Sequence, residues 1–176
     1  MHLASLVDMV ESGFDDRVLL GSGDDAVTGS GIGQMVRCGA ATLRGYDALV
    51  YAGENHPLLP VALLAAAWAG VPFVPVNYRL DDLQLNNLIA RQTRALVLAD
   101  ERTVGRIAVN AVLTFDNWLA TLPAGAPASE TASDATLDDQ SVAVVLFTSG
   151  TTSEPKAALL RHRHLMAYLL GSVEFG

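Results

Sequence analysis

Nine consecutive residues, Thr148 to Lys156, bring together five hydroxyl side chains (Thr148, Ser149, Thr151, Thr152 and Ser153) with Gly150, Glu154, Pro155 and Lys156. Donors at that density suit a polyphosphate. Hydroxyls and main-chain N–H groups supply hydrogen bonds, glycine lets the backbone approach closely, and an ammonium supplies compensating charge. Lys156 is the only lysine of the chain, the other ten basic residues being arginines; a compact, mobile point charge suits a phosphate oxygen. The competing reading is a Ser/Thr-rich surface turn, the commonest fate of such a composition. The P-loop pattern of nucleotide hydrolases does not apply, because it needs a glycine directly before the lysine and Pro155 stands there.

Other constellations are weaker. His162 and His164 flank Arg163 at an expected helix start, where they point in different directions; that disfavours a metal site and leaves a surface role or a supporting role beside the loop. GSGD at 21–24 and GSGIG at 29–33 read as turns, since the second lacks the final glycine of a dinucleotide fingerprint and neither sits between a clear strand and helix. Asp81, Asp82, Asp100 and Glu101 fall at element ends, where capping or solvation dominates. Trp68 and Trp118 read as core or interface residues. Cys38 stands alone, which excludes an internal disulfide.

The bulk properties set the frame. A hydrophobic fraction of 51% over 176 residues belongs to a packed chain, either one domain or part of a larger one. A net charge of −8 argues against nucleic acid or an anionic membrane as partner, so an anionic ligand must be met locally. The N-terminus lacks a signal-peptide pattern, and the longest apolar run, Leu58 to Trp68, is too short to span a bilayer; a cytoplasmic chain is expected.

The elements that must carry the loop alternate in type. Leu3, Leu6, Val7 and Val10 predict an amphipathic helix over 2–13. Residues 27–44 are Gly-rich, then helical, with Met35, Cys38, Ala41 and Leu43 as inward positions. Residues 48–53 predict a buried strand, followed by a helix that opens near Pro57 and Pro60 and stops at Gly70. VPFVPVN at 71–77 is extended, and its two prolines predict an edge strand or one whose N–H groups face away. A helix over 80–94, a strand over 95–100 and a third apolar run over 107–115 follow. The small, polar, Pro-containing residues 123–137 read as a surface loop, dividing a first block, 1–122, from a second, 141–176, across a linker at 123–140. Residues 141–147 form the strongest strand signal, running into the hydroxyl-rich loop and then a helix over about 161–173. Such alternation predicts an α/β fold: a parallel or mixed sheet with helices on both faces.

The run LFTSGTTSEPKAALLRH resembles the phosphate-loop signature of the adenylate-forming (AMP-binding) superfamily, which includes acyl-CoA synthetases, fatty-acyl-AMP ligases and peptide-synthetase adenylation domains. Phe147, Thr148, Ser149, Gly150, Thr151, Thr152, Pro155 and Lys156 match it, and His162 falls where the family often has histidine. Ser153 and Ala157 stand where glycine is usual. Residues 56–80 resemble the family's upstream helix and strand, with Asn77, Tyr78, Arg79 and Leu80 closer to the acyl-CoA synthetase branch.

The resemblance implies part of the N-terminal domain of an enzyme that converts a carboxylate and ATP to an acyl-adenylate and pyrophosphate, then forms a thioester with CoA or a carrier protein's phosphopantetheine. It implies phosphate contacts from Thr148, Ser149, Gly150, Thr151, Thr152, Ser153 and Lys156, Mg²⁺ near Thr151, and a supporting role for His162. The family's later motifs are not found in these residues, so this chain alone is expected to be inactive. The alternative is a non-catalytic fragment that folds and self-associates through exposed sheet edges.

Overall fold

The structure, a computed structural model, describes residues 1–122, 138–148 and 155–172. The linker expected at 123–140 therefore lies almost wholly outside the described residues. A six-stranded sheet has the order β6-β5-β3-β4-β7-β8, made of Val112–Thr114, Ala95–Ala99, Ala48–Ala52, Phe73–Pro75, Val142–Thr148 and Lys156–Arg161. All neighbours are parallel except β7 and β8, which pair antiparallel. A separate ribbon, β1 (Val18–Leu20) with β2 (Val27–Thr28), precedes the sheet.

Helices α1 (Ser5–Phe14), α2 (Gly29–Thr42), α3 (Leu59–Ala69), α5 (Phe115–Ala120) and α6 (His162–Ser172) share one core face with Leu49, Tyr51, Phe73, Leu96 and Leu98 of the strands. Helix α4 (Asp82–Ile89) covers the other, where Leu85, Leu88 and Ile89 meet Val50, Val74 and Val97. Every residue of β3 is buried, as a central parallel strand between two helical layers requires. The mixed αβα architecture expected from the alternation is present.

Local chemistry explains the helix ends. Thr28 and Asp81 accept from the N–H groups of Gly31 and Gln84 as N-caps of α2 and α4. Gly70 closes α3 with φ 72°, a conformation that β-carbon-bearing residues rarely adopt. Helix α3 is apolar all round, and it packs against α2 as well as joining the core on the sheet.

Four expectations are corrected. The GSGIG run is not a turn but the first turns of α2: a β-carbon on Gly29 would lie 2.3 Å from the Phe14 carbonyl oxygen, so glycine lets α2 press against the end of α1. The inward stripe of α2 is Ile32, Val36, Gly39, Ala40 and Leu43; Met35 and Cys38 are half-buried and Ala41 is exposed. Strand β4 is not an edge strand. The Val76 N–H donates to the Tyr51 carbonyl, so alternation turns the Pro75 nitrogen toward β7, and pairing with β7 is confined to Phe73 and Val144. Finally, Lys156 to Leu160 form a strand, where only a loop leading to a helix was expected.

The N-terminal segment docks on the start of α6. His2 and His162 are both buried, their rings stacked with centroids 3.5 Å apart. The Ala4 N–H donates to His2 Nδ1, whereas His162 Nδ1 has no hydrogen-bond partner among the described residues. Burial, and then the charge of His2, depress the His162 pKa to about 4, against the attraction of Asp138 and Asp139. His2 is lowered too, first by burial.

Two predictions follow from this packing. At Gly39 a β-carbon would sit 2.7 Å from Trp118 Cζ2 and 3.0 Å from Ala65 Cβ. Gly39→Val should therefore cost about 1–3 kcal/mol of stability by overpacking, read as a lower urea midpoint. Because folding lowers the His162 pKa from 6.5 to about 4, the unfolded chain binds the proton first as pH falls. Stability should be fully present above about pH 6.5 and decline toward pH 4, and His162→Phe should flatten that decline in denaturation curves taken across the window.

Candidate functional site

Parallel strands β3, β4 and β7 end at the same edge of the sheet, and two features gather there. The first is an open cleft of about 590 Å³ lined by Gly53, Glu54 and Asn55 after β3 and by Asn77, Tyr78 and Arg79 after β4. After β3 the chain enters α3 on one face of the sheet; after β4 it enters α4 on the other. The strand order thus reverses between β3 and β4, and in open α/β sheets the crevice at such a reversal is where ligands bind.

The walls of this cleft are braced. The Asp100 carboxylate accepts from the Glu54 N–H at 3.1 Å and the Thr103 N–H at 2.8 Å, tying the loop after β3 to the end of β5. Burial opposes its ionisation, but hydrogen bonds from Thr103 and from the backbone outweigh burial and lower its pKa. The Tyr51 hydroxyl donates to the Glu54 carbonyl. On the other wall the Arg106 guanidinium donates to the Tyr78 carbonyl at 2.7 Å, the Leu80 carbonyl at 2.5 Å and Asp82 Oδ1 at 2.7 Å, holding the turn that carries Arg79. Arg79 itself leans over the Tyr78 ring and donates to its hydroxyl.

The second feature is the β7–β8 hairpin. Thr148 and Lys156 are directly paired across it, and the Thr148 hydroxyl donates to the Lys156 carbonyl at 3.3 Å. Both side chains are exposed, and Lys156 makes no ion pair among the described residues. Of the sequence-predicted site residues, then, Thr148 and Lys156 are brought together, as the last residue of one strand and the first of the next. Ser149, Gly150, Thr151, Thr152 and Ser153 lie outside the described residues.

His162 is elsewhere. Arg161, just before it, pairs with Val142 at the opposite end of the hairpin, five residues or roughly 17 Å of strand from Lys156. It is 1% exposed, so the surface role is excluded, and its neighbour is His2 rather than the loop. His164 is exposed, and no group of three or more metal-ligating side chains forms among the described residues. Sequence reasoning missed the bracing roles of Asp100, Arg106 and Tyr51. Asp100 and Arg106 flank the only polar break between β5 and β6, a signal too general to single them out.

Comparison with known proteins identifies the family and the fold. The family described as "AMP-binding enzyme" matches residues 12–175. Feruloyl-CoA synthases of Amycolatopsis sp. and Streptomyces sp. are each 31% identical over 128 residues, covering 72% of this chain and 25% of theirs. The nonribosomal peptide synthetase agiA of Aspergillus flavus is 29% identical over 159 residues, covering 78% of this chain and 2% of its own. Among solved structures, VinN in complex with 3-methylaspartate superposes with a TM-score of 0.78 at 23% identity, covering 98% of this chain and 51% of that one. The Klebsiella oxytoca NpsA N-terminal subdomain, in complex with 3-hydroxybenzoyl-AMSN, superposes at 0.69 with 22% identity, covering 92% and 41%. These structures share the fold. The chain spans a quarter of the length of the feruloyl-CoA synthases and about half of VinN. With the family matched over nearly its whole length, the chain belongs to the AMP-binding enzymes.

Proposed function

We propose that this chain is the N-terminal part of an AMP-forming ligase that activates a carboxylic acid. In that reaction a carboxylate oxygen attacks the α-phosphorus of ATP, the bond to the β-phosphate breaks, and pyrophosphate leaves with its electron pair. The observation that carries the reading is the hairpin. It holds Lys156 exposed beside Thr148, with no carboxylate partner among the described residues, where a parallel strand ends. In an acidic chain an anion must be met by such a local cation.

The chain's part in the chemistry is positioning and charge stabilisation. Lys156 neutralises the departing β- and γ-phosphates, while the hydroxyls and N–H groups of Thr148, Ser149, Gly150, Thr151, Thr152 and Ser153 supply hydrogen bonds. Hard oxygen donors of this kind fit Mg²⁺, with Thr151 as the ligand; the ion would offset charge on the phosphates. The cleft between β3 and β4 offers a second ligand surface at the same edge of the sheet. For the acceptor, the Asn77 to Leu80 run and the feruloyl-CoA synthase relatives support the thiol of CoA. The peptide-synthetase relatives support a carrier-bound phosphopantetheine as the second reading.

The reaction as a whole is assigned to a protein in which this chain is joined by the portion its relatives carry beyond it. Calorimetric titration of this chain with Mg²⁺-ATP should show binding that weakens at least tenfold in Lys156→Ala, with no exchange of labelled pyrophosphate into ATP. Equal affinity of both proteins for ATP would refute the role of Lys156, and clear exchange would refute the assignment of turnover to the larger protein.

A further inference from the structure

Arg91 follows directly on the C-cap of α4, and its guanidinium touches both ends of the hydroxyl-rich segment. Nη1 donates to the Pro155 carbonyl at 3.0 Å, across 64 residues of sequence. The same guanidinium lies 5.7 Å from the centroid of the Phe147 ring. Phe147 is the penultimate residue of β7, and Pro155 immediately precedes Lys156. One side chain thus grips the strand that enters residues 149–154 and the chain that leaves them.

The grip has a firm base. Helix α4 is capped by Asp81, is seated through Leu85, Leu88 and Ile89, and is tied to the neighbouring 3₁₀ turn (Val104–Arg106) by the Asn86 side chain, which donates to the Arg106 carbonyl at 2.8 Å. The Arg91 N–H donates to the Leu88 carbonyl, which carries the last turn of the helix up to the guanidinium. Phe147 packs against the same core face that α4 covers. Arg91 is exposed, and an exposed contact of this kind adds little to global stability. What it restricts is where Phe147 and Pro155 sit relative to α4.

We propose that Arg91 is a positioning residue: it clamps Phe147 and Pro155 from outside the hairpin and so fixes how Lys156 is presented. The proposal rests on the reading of residues 148–156 as the phosphate loop. Arg91 needs no contact with ATP for this role. It acts through the backbone next to the lysine.

The single lysine supplies a direct probe, because a lysine-specific protease has one site in the wild-type chain, after Lys156. Arg91→Met keeps the apolar stem but removes both contacts; Arg91→Lys keeps a cation and a donor but adds a cleavage site at position 91, so its release of 157–176 is read as the initial rate from chains still uncut there. Release of the peptide 157–176 should be at least threefold faster in Arg91→Met at an unchanged thermal midpoint, and Mg²⁺-ATP should bind about fivefold more weakly. Arg91→Lys should bring both values back to within twofold of wild type, a recovery that general loosening does not give. Wild-type release rates in Arg91→Met, or faster release with ATP affinity unchanged, overturn the proposal. If the wild-type chain binds no ATP at all, the phosphate-loop reading falls on its own. Digestion then decides the clamp alone: faster release with Met but not with Lys upholds it, and equal rates overturn it.

Discussion

The hairpin that carries Lys156 is attached to the parallel sheet through a narrow junction, the pairing of Phe73 on β4 with Val144 on β7. Strand β4 is only three residues long and ends in Pro75, which has no N–H to offer β7, so the ladder on that side loses a donor beyond Phe73. Side chains make up for the short ladder. Ala143 and Val144 join the core shared by α3 and α6, and Val145 joins the core that α4 covers, so β7 is wedged between two apolar layers. The six-residue register with β8 then holds the far arm of the hairpin to β7.

This arrangement separates rigidity from reach. The strand ends at one edge are fixed by burial and by short polar braces, Asp100 on one wall of the cleft and Arg106 on the other. The groups that meet solvent there, Arg79, Lys156 and Thr148, project from those fixed ends. A chain with a net charge of −8 thus sets two exposed cations, Arg79 and Lys156, at the edge where an anionic ligand is expected, beside the carboxylates of Glu54 and Asp100 that line and brace the cleft. The electrostatics of the site are local rather than a property of the whole surface.

Much of this was legible in the sequence because it rests on short-range signals. The runs at 48–52, 95–99 and 142–148 are short and apolar, and Gly70 and Asp81 mark a helix stop and a helix start in the adjoining segments. What was not legible depends on partners remote in sequence. Ala157 to Leu160 favour helix by composition and become strand because β7 offers a ladder. Gly29 looks like a turn residue until the end of α1 is set against it, and the close approach of Trp118 to Gly39 has no signal in the neighbouring sequence. Two prolines suggest an edge until the N–H groups of β4 are assigned to one side or the other. His162 resembles a member of the loop in sequence, yet its environment is made by His2. Of the candidate site, the sequence singled out Thr148 and Lys156 for proposal, but their pairing across a hairpin, the cleft beside β3 and the reach of Arg91 are products of topology.

Engagement of the β- and γ-phosphates of ATP by Lys156 and the hydroxyl-rich residues before it can be read by phosphorus-31 NMR of Mg²⁺-ATP titrated with the chain, since the three phosphorus resonances are resolved. The β- and γ-phosphate lines should broaden and shift more than the α-phosphate line, and the effect should disappear in Lys156→Ala. Unchanged spectra, or a perturbation centred on the α-phosphate that persists without Lys156, would contradict it.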